Sequence, residues 1–543
     1  MKGLLGKCGC TRMVQGGYNV ALAREDSIER HFMDTIEGGK WLPDQELAWK
    51  LVVLSIERIR ELENELGCFF DRNPDGTVHQ KAFAGQTFDR TVHKGDLTGI
   101  EIINRLAEQV WARNINRLEE HRAVELIKDK AGSAIAGVLF IDMRTGEYIF
   151  VRAKAVLLAT GGGPTMYKYH TPSGDKSCDG LAMALRAGLP LRDMEMVQFH
   201  PTGLYAGTHT RMTGTVLEEG LRGSGGYLLN GAMERFMPKY DPKAERATRD
   251  FVSRAMYTEM RAGNTSPNGG LYICMNHLDQ NLVKKQFRGM VERCADCGFD
   301  LVGGLVEVVP TAHYMMGGVE FAPDCSTQLK GLYVAGEDAG GVHGANRLGG
   351  NGVANSTVYG AVAGDVMAGW VKKEGTLRDF DPAALEKAIQ ACEPKTSGAN
   401  VSLEPLRERL YEVMWNKVGI IRDAAGLREG LAELSAIEVA LDECGIADAD
   451  RAFNLTWHDW LNLKNLTQTS RVIAEAALAR TDSRGAHYRE DFPEAGPLDS
   501  SAFTSLSIEN EKLKIDLKPV AFTRVRPGQS LLADGGSSTS RVA

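Results

Sequence analysis

The spacing of apolar residues separates helical segments from strands along the chain. Between Glu46 and Leu66, apolar residues recur every three or four positions, which predicts an amphipathic helix lying on a core. Residues Gly137 to Asp142 and Glu147 to Arg152 are largely apolar on either side of a turn, which predicts a pair of strands. A further, continuously apolar strand is predicted from Ala155 to Ala159.

The last part of the chain changes to helical periodicity. Leucine, isoleucine and alanine alternate with charged residues from about Leu403 to Leu441 and from Trp457 to Arg480, which predicts a separate helical domain. Residues Leu513 to Val525 alternate between apolar and polar side chains, as expected of a closing strand. The glycine- and serine-rich end, taken as residues 526–543, is predicted to be a disordered tail.

Two apolar strands end in residues suited to the edge of a nucleotide cofactor. The strand up to Ala159 runs into Thr160-Gly-Gly-Gly163, and the segment from Gly331 ends in the carboxylate of Glu337. Glycine lets the backbone approach a ligand closely, and ligands bind at the carboxyl ends of strands in open α/β sheets. A carboxylate at such an edge can accept a hydrogen bond from the sugar of a dinucleotide. These strands therefore favour an α/β cofactor-binding domain.

Composition limits the class of protein. The chain has 543 residues, of which 43% are hydrophobic and 25% charged, as is usual for a globular enzyme with several domains. Acidic residues (71) outnumber basic residues (63) and there is no long basic run, which argues against nucleic acid as a partner. Since no apolar stretch is long enough to span a membrane and no signal pattern opens the chain, we expect a cytoplasmic protein.

The cysteines are too sparse for a disulfide scaffold. Only Cys8 with Cys10, and Cys294 with Cys297, lie close together in the sequence. An iron–sulfur cluster normally takes four thiolates, so we expect free thiols and no metal site in this chain. Any such cluster is expected in a partner protein.

Four motifs, in this order along the chain, carry the candidate chemistry. They are Cys10-Thr-Arg-Met-Val-Gln-Gly-Gly17, Gln198-Phe-His-Pro-Thr-Gly-Leu204, Pro310-Thr-Ala-His-Tyr-Met-Met-Gly-Gly318 and Gly344-Ala-Asn-Arg-Leu-Gly-Gly-Asn351. Their order and spacing resemble the flavoprotein subunit of the succinate dehydrogenase and fumarate reductase family, from residue 2 to about residue 525. The resemblance implies FAD as the cofactor and an α/β fold. That fold has a Rossmann-like FAD-binding domain of the glutathione-reductase type, an α+β capping domain and a C-terminal helical domain.

The resemblance also implies domain boundaries. Residues 1–191 and 307–370 would form two parts of the FAD-binding domain, residues 192–306 the substrate-capping domain, and residues 400–525 the helical domain. The family's Gly-x-Gly-x-x-Gly phosphate loop does not occur in the sequence, so the first βαβ unit is expected to be lacking and FAD binding to be poor. Either an upstream segment was missed or cut away, or the chain is a degenerate paralogue.

The resemblance assigns proton transfer to an arginine. In this family a hydride passes between flavin N5 and one alkene carbon of fumarate, while an arginine delivers a proton to the other carbon. Arg249 matches this arginine, and Glu219 and Arg222 match the relay that returns protons to it. An arginine needs such a relay because its pKa is above about 12. Without the resemblance, Glu219 and Arg222 would be interpreted as an ion pair on a helix surface.

The remaining matched residues would hold the substrate and the cofactor. His200, His313 and Arg347 match the groups that bind the substrate carboxylates, since an arginine fork forms bidentate hydrogen bonds and histidines add donors. Either histidine could instead have a purely structural role. Contacts with the flavin dinucleotide are assigned to Thr11, Gln15, Gly16, Gly17, Thr160, Gly161, Asp179, Glu337, His343, Asn351, Gly352 and Val353.

Three positions depart from the family's pattern. Cys10 stands where membrane-complex members carry the histidine bonded to the flavin, so we predict noncovalent FAD and a reductase-biased enzyme; a cysteinyl thioether is the alternative. Glu218 replaces a pocket threonine and would repel a dicarboxylate by roughly 4 kcal/mol at ~4 Å and intermediate dielectric. It is expected either to point away, toward Arg211, or to be protonated, or to favour an aminated substrate. Gly352 replaces a serine, a milder loss of one donor.

The resemblance implies partners as well. We expect a small dicarboxylate substrate, an iron–sulfur electron-transfer subunit, and attachment to the inner face of the cell membrane only through partner subunits. The principal alternative function is L-aspartate oxidase, which a noncovalent flavin and Glu218 would suit. The alternative of another class is a non-catalytic truncated relative.

Overall fold

A computed structural model describes residues 2–208, 210–395, 402–446, 448, 450–510 and 512–532. Its helices are α1 (Ile28–Gly38), α2 (Gln45–Asn64), α3 (Thr98–Trp111), α4 (Asp179–Arg186), α5 (Gly220–Gly223), α6 (Arg249–Arg261), α7 (Gln280–Gln286), α8 (Arg288–Asp296), α9 (Asn351–Glu374), α10 (Pro382–Ala391), α11 (Glu404–Asn416), α12 (Ala424–Glu443) and α13 (Leu455–Ala479). Its strands are β1 (Tyr18–Asn19), β2 (Gln80–Lys81), β3 (Thr91–Val92), β4 (His121–Lys128), β5 (Ile135–Asp142), β6 (Tyr148–Arg152), β7 (Val156–Leu158), β8 (Leu191–Arg192), β9 (Val197–Leu204), β10 (Tyr227–Leu229), β11 (Leu271–Cys274), β12 (Leu305–Met315), β13 (Gly318–Val319), β14 (Leu332–Val334), β15 (Ala502–Glu509) and β16 (Lys512–Pro519).

The predicted cofactor edge is built on a parallel pair of strands. β7 and β14 run parallel, with Val156 opposite Leu332. Both strands were predicted from their apolar residues, and their carboxyl ends lead directly to Thr160 and Glu337. Helix α9 packs beside β14 and against α2. The carboxyl ends of the two strands therefore open on the same edge, where a ligand can bind.

Helix α2 confirms the helix predicted between residues 46 and 66. It begins after Asp44, whose side chain accepts hydrogen bonds from the backbone N–H groups of Glu46 and Leu47. Leu47, Leu51 and the other apolar residues of its inner face are buried. Since these residues recur at helical spacing, one face of the helix covers the core around α9.

A second sheet lies beside the cofactor edge. β4, β5 and β6 form an antiparallel meander, in which β5 and β6 confirm the strands predicted around the Met143–Gly146 turn. The meander shares a hydrophobic core with α4 and with the helical domain.

The predicted capping segment contains a four-stranded antiparallel sheet in the order β10, β11, β12, β9. Helix α6 packs on β9, and the sheet has its own buried apolar core. The predicted boundary between residues 306 and 307 falls inside β12, because this strand runs on from the sheet toward the cofactor edge. β12 therefore connects the capping sheet with the candidate site.

The C-terminal segment contains the predicted helices followed by a hairpin. α11, α12 and α13 pack together, and β15 and β16 then pair along their whole length. β16 overlaps the first part of the closing strand predicted from Leu513 to Val525 but ends at Pro519, and β15 was not predicted. β15 also pairs with β8, so the hairpin joins the helical domain to the rest of the molecule.

The end of the chain lies only partly within the described residues. Of the predicted disordered tail, residues 533–543 fall outside them, whereas Leu531 and Leu532 are half-buried and pack on a core that contains Phe32 and Trp41. Among the helices that the structure describes, none combines the length and the apolar character that crossing a bilayer requires.

Candidate active site

A cavity of about 530 Å³ brings together most of the predicted site residues. It lies where the N-terminal segment, β9, β12 and the start of α9 meet. The predicted residues that line it are Thr11, Gln15, Gly16, Gly17, His200, Glu218, Glu219, Arg249, His313, Glu337, Arg347, Gly352 and Val353. The predicted residues outside its lining are Thr160, Gly161, Asp179, Arg222, His343 and Asn351.

Arg249 is the first residue of α6 and is buried on the cavity wall. Its Nε and Nη2 donate hydrogen bonds to one oxygen of Glu219, at 3.1 and 2.6 Å. Its Nη1 donates to the side-chain oxygen of Gln198 at 3.1 Å. Gln198 also donates to the carbonyl of Arg347 at 2.7 Å. It therefore holds both arginines, a role that the sequence did not predict although Gln198 opens one of the four motifs.

Glu219 joins Arg249 to Arg222 in a buried chain. The other Glu219 oxygen accepts a hydrogen bond from Arg222 Nη2 at 3.3 Å, and Arg222 Nη1 donates to the carbonyl of Glu245 at 2.7 Å. Burial acts to raise the pKa of Glu219, but the charges of Arg249 and Arg222 outweigh it and hold that pKa below its usual range. All three side chains are buried, which excludes the alternative of a solvent-exposed ion pair on a helix surface.

Two irregularities in β12 bring the histidines close together. The register between β9 and β12 shifts across Pro310, which has no N–H to donate to a sheet, and shifts again across His313. The rings of His200 and His313 lie with their centroids 5.4 Å apart, and both line the cavity. The sheet irregularity thus places both imidazoles at one site.

The protonation of His200 follows from its contacts. The backbone N–H of Thr202 donates to Nδ1 at 3.3 Å, so Nδ1 is an acceptor and the ring proton lies on Nε2. Burial, together with the charge of Arg249, lowers the pKa of His200 well below its ordinary value. His200 is therefore a neutral donor through Nε2–H.

His313 and Arg347 complete the set of donors on the cavity wall. His313 Nδ1 lies 2.8 Å from the hydroxyl of Thr171, and burial with the charges of Arg249 and Arg347 lowers its pKa well below the ordinary value. The Arg347 guanidinium lies 4.4 Å from the ring centre of Tyr314. Burial lowers the pKa of Arg347 to about 10, so the residue remains a cation near neutral pH.

Glu218 lines the cavity but does not reach Arg211. Its carboxylate forms an ion pair with the ammonium of Lys81, in β2. Burial raises the pKa of Glu218, whereas the charge of Lys81 acts to lower it. The carboxylate is therefore paired with a cation of the protein, but this cation is Lys81 and not the expected Arg211.

The two acidic residues after β14 have different partners. Glu337 is half-buried and accepts a hydrogen bond from the backbone N–H of Met315 at 2.9 Å, and desolvation of its carboxyl group raises its pKa to about 7. Asp338 accepts hydrogen bonds from the side chain and backbone of Thr160 and from the N–H of Gly161. Asp338 therefore fixes the turn after β7, and Thr160 and Gly161 lie in this turn, outside the cavity lining. Asp338 was not among the predicted site residues, although it follows Glu337 directly.

Asp179 and Asn351 lie in structural networks outside the cavity. The Asp179 carboxylate accepts hydrogen bonds from Arg122, Ser177 and Asn465 and forms an ion pair with Lys2, all at 2.7 to 2.8 Å. The Asn351 side chain forms hydrogen bonds with the side chains of Asn19, His31 and Thr35. Both side chains tie elements together, and neither was predicted in this role.

Comparisons with known proteins agree with this geometry. A family model described as FAD binding domain matches residues 5–353, and one described as fumarate reductase flavoprotein C-term matches residues 407–531. A fumarate reductase (CoM/CoB) subunit of Methanothermobacter marburgensis is 39% identical over 501 residues, which cover 91% of this chain and 90% of that protein. The succinate dehydrogenase flavoprotein subunit of Rickettsia conorii is 33% identical, over 94% of this chain and 89% of that protein. The solved structure of E. coli quinol fumarate reductase FrdA superposes with a TM-score of 0.90 at 30% identity, covering 97% of this chain and 92% of that one.

The chain belongs to the flavoprotein family of fumarate reductases and succinate dehydrogenases. As a member of this flavoprotein family it is an FAD-dependent oxidoreductase, and its fold is the family's combination of FAD-binding, capping and C-terminal helical domains.

The cavity of this flavoprotein has features that fit FAD. Arg347 lines the cavity, and its buried Nε has no hydrogen-bond partner among the described residues, so this N–H is available to an oxygen of the cofactor. His343 Nδ1 also lacks a partner among those residues, but His343 lies outside the cavity lining. Gly17 lines the cavity with a φ of 143°, and a Cβ there would lie 2.3 Å from the carbonyl oxygen of Val92. Only glycine readily lets the backbone adopt this conformation at the cavity wall. One carboxylate oxygen of Glu337 accepts a hydrogen bond from Met315, and the other can accept a hydrogen bond from a hydroxyl group.

Proposed function

We propose that the chain reduces a fumarate-type dicarboxylate, with Arg249 as the proton donor. One observation carries the proposal: a buried arginine, bonded to the carboxylate of Glu219, lies on the same cavity wall as two neutral histidines and the cation of Arg347. Relatives named fumarate reductase and succinate dehydrogenase support this substrate class. The intact set of cavity residues favours an enzyme over the alternative of a non-catalytic paralogue.

The substrate carboxylates would be held by Arg347, His200 and His313. A guanidinium offers two parallel donors to one carboxylate, and the Nε2–H of neutral His200 adds a further donor. Fixing both ends of a short alkene would orient its double bond with respect to Arg249, which lowers the entropic part of the barrier.

Proton transfer would use the buried chain of three side chains. Arg249 would lose an N–H proton as a C–H bond forms on the substrate, and Glu219 would return a proton that comes from Arg222. Burial lowers the pKa of Arg222, which makes this donor a stronger acid than an arginine in water. Gln198 would keep the Arg249 fork in place, because it holds Nη1.

Noncovalent FAD is part of the proposal. When bound, FAD would supply the hydride for the substrate. Thr11, Gln15, Gly16, Gly17, Glu337, Gly352 and Val353 are the proposed contacts. Cys10 also lines the cavity, but burial raises the pKa of its thiol to about 11 and so keeps it protonated, whereas thioether formation needs a thiolate. Flavin that stays with acid-precipitated protein would contradict this point.

An iron–sulfur subunit is the proposed source of electrons. The helical segment that matches the fumarate reductase flavoprotein C-terminal model supports such a partner, as do relatives that are named as subunits. In this proposal the chain works in the cytoplasm, and any attachment to the inner face of the membrane is through partner subunits.

L-aspartate oxidase remains the alternative, although one of its supports is weaker. Glu218 would favour an aminated substrate only if its carboxylate needed a cation from the ligand. Lys81 already provides that cation.

The proposal is tested with flavin-loaded protein and reduced viologen as the electron donor. We expect viologen oxidation that depends on fumarate and yields one succinate for every two reduced viologens oxidised, because each viologen gives one electron and the reduction of fumarate takes two. Protein that ignores fumarate and instead oxidises L-aspartate would contradict the proposal and support the alternative.

A further inference from the structure

An ion pair at the edge of the cavity has no part in the proton relay. Glu218 lines the cavity with a side chain that is 6% exposed, and its carboxylate meets the ammonium of Lys81, which is 20% exposed. Lys81 lies in β2 outside the lining, and its ammonium also donates to the carbonyl of Gly95 at 3.3 Å. The carboxylate of Glu218 therefore faces the cavity, and its counter-ion, Lys81, lies outside the cavity lining.

The charges around Glu218 make this counter-ion important. The strongest influences of charge on Glu218 come from Lys81, which is positive, and from Asp96 and Glu219, which are negative. Glu219 is already paired with Arg249 and Arg222. A dicarboxylate that enters the cavity adds two further negative charges. Without Lys81, Glu218 would repel this ligand inside a buried site, where solvent screens charges weakly.

We propose that Lys81 supports the binding of dicarboxylates by neutralising Glu218, so that a carboxylate can line a site for a dianion. Lys81 acts through Glu218 and does not itself touch the substrate. The inference rests on the proposed function for the substrate class, but it concerns binding and can be measured without turnover.

The test uses affinity for malonate, a dicarboxylate with no carbon–carbon bond that can be dehydrogenated to an alkene. Isothermal titration of the flavin-loaded protein gives its Kd for wild type, Lys81→Met, Glu218→Gln and the double variant. Methionine keeps most of the lysine stem and removes the charge, and glutamine keeps the shape of glutamate. Lys94→Met is the control, because Lys94 is an exposed lysine near Lys81 that pairs with Asp71. Lys81→Arg tests rescue by charge.

We expect Lys81→Met to weaken malonate binding about 10- to 100-fold, as an uncompensated charge a few ångströms from the ligand predicts. The double variant should bind within about threefold of Glu218→Gln, because removing both charges removes the repulsion. Lys81→Arg and Lys94→Met should bind as wild type does. The loss of malonate affinity caused by Lys81→Met should become smaller as the pH falls, because burial raises the pKa of Glu218 and protonation of Glu218 removes its charge. The double variant should lack this dependence.

Two outcomes would overturn the inference: Lys81→Met binding malonate as tightly as wild type, or the double variant staying as weak as Lys81→Met. Its failure is distinct from failure of the proposed function. If wild type reduces fumarate and the malonate Kd of Lys81→Met is the same as that of wild type, the inference is overturned and the proposed function stands. Wild type that binds malonate but does not reduce fumarate overturns the function alone, and the Kd series still decides the role of Lys81.

Discussion

At the scale of single residues, the site depends on which buried groups keep their charge. The histidines lose theirs, because burial and nearby arginines lower their pKa values, whereas Arg347 stays cationic with a pKa of about 10. Arg249 keeps Glu219 ionised and is bonded to it through two nitrogens. The cavity thus combines neutral donors with fixed cations, which suits a small dianion.

Gln198 gives a prediction at this scale. Gln198→Leu removes the acceptor of Arg249 Nη1 and the donor to the Arg347 carbonyl, so both arginines lose a fixed orientation. We expect kcat for fumarate reduction to fall about 10- to 100-fold, because displaced catalytic groups lose orientation rather than binding. The malonate Kd should change much less. An unchanged kcat would show that Gln198 does not position Arg249.

Residues that line the cavity could be predicted from the sequence more readily than the residues they contact. Three predicted residues belong to motifs with a recognisable order: His200, His313 and Arg347. Arg249 lies outside these motifs and was predicted from the family resemblance that they support. Lys81 was not, since it contacts Glu218 across 137 positions of sequence, and no local pattern signals such a contact. Asp338 was missed for the same reason, as Thr160 lies 178 positions away.

At the scale of elements, one buried ion pair anchors the strand that carries the site. Arg480, at the end of α13, donates to Glu195 at 2.5 Å, and Thr504 of β15 donates to the other oxygen of Glu195 at 2.7 Å. Glu195 lies two residues before β9, which carries Gln198 and His200. The helical domain therefore contacts the active site through the base of this strand.

Removing the anchor should destabilise the protein. Arg480→Met leaves the Glu195 carboxylate buried without its cation, which typically costs about 3–5 kcal/mol. We expect a clear fall in the free energy of unfolding, measured by denaturant titration. Lys514→Met removes an exposed lysine that pairs with Glu509 in the β15–β16 hairpin, and should leave stability unchanged. Equal stability of both variants would contradict the anchoring role.

Elements that carry a clear local apolar pattern were predicted, and strands that lack one were not. Helix α2 and strands β5, β6, β7 and β14 each carry an apolar pattern over their length. β8, β10 and β11 were not predicted, and pairing across the chain places each of them in its sheet. Strand β12 crosses the expected domain boundary, and its two register shifts, at Pro310 and His313, were not predicted because they appear only in its pairing with β9.

At the scale of the whole molecule, buried neutral histidines make stability depend on pH. Burial, with the charge of Arg90, lowers the pKa of His31 to about 3, and burial lowers that of His458 to about 4. An unfolded histidine takes up a proton near pH ~6.5, whereas these rings stay neutral in the fold. The unfolded state therefore gains protons as the pH falls below that value, and stability decreases until the folded rings also protonate.

His31 provides a direct measure of this effect. Each such ring contributes a slope of about 1.4 kcal/mol per pH unit between its folded and unfolded pKa values. His31→Gln should reduce the pH slope of the unfolding free energy by about that amount below neutral pH, while keeping a donor for Asn351. His277→Gln, at an exposed histidine, is the matched control. An unchanged slope in His31→Gln would show that His31 is not held neutral.

The measurement that most directly tests the central claim is the single-turnover reoxidation of reduced, flavin-loaded protein by fumarate, followed by flavin absorbance in rapid mixing. Wild type is compared with Arg249→Gln and with Arg261→Gln, an exposed arginine at the end of the same helix. The account predicts that Arg249→Gln slows reoxidation about 10²- to 10⁴-fold, as loss of a proton donor does, and that Arg261→Gln matches wild type. Reoxidation of Arg249→Gln at the wild-type rate would contradict the assignment of Arg249 as the proton donor.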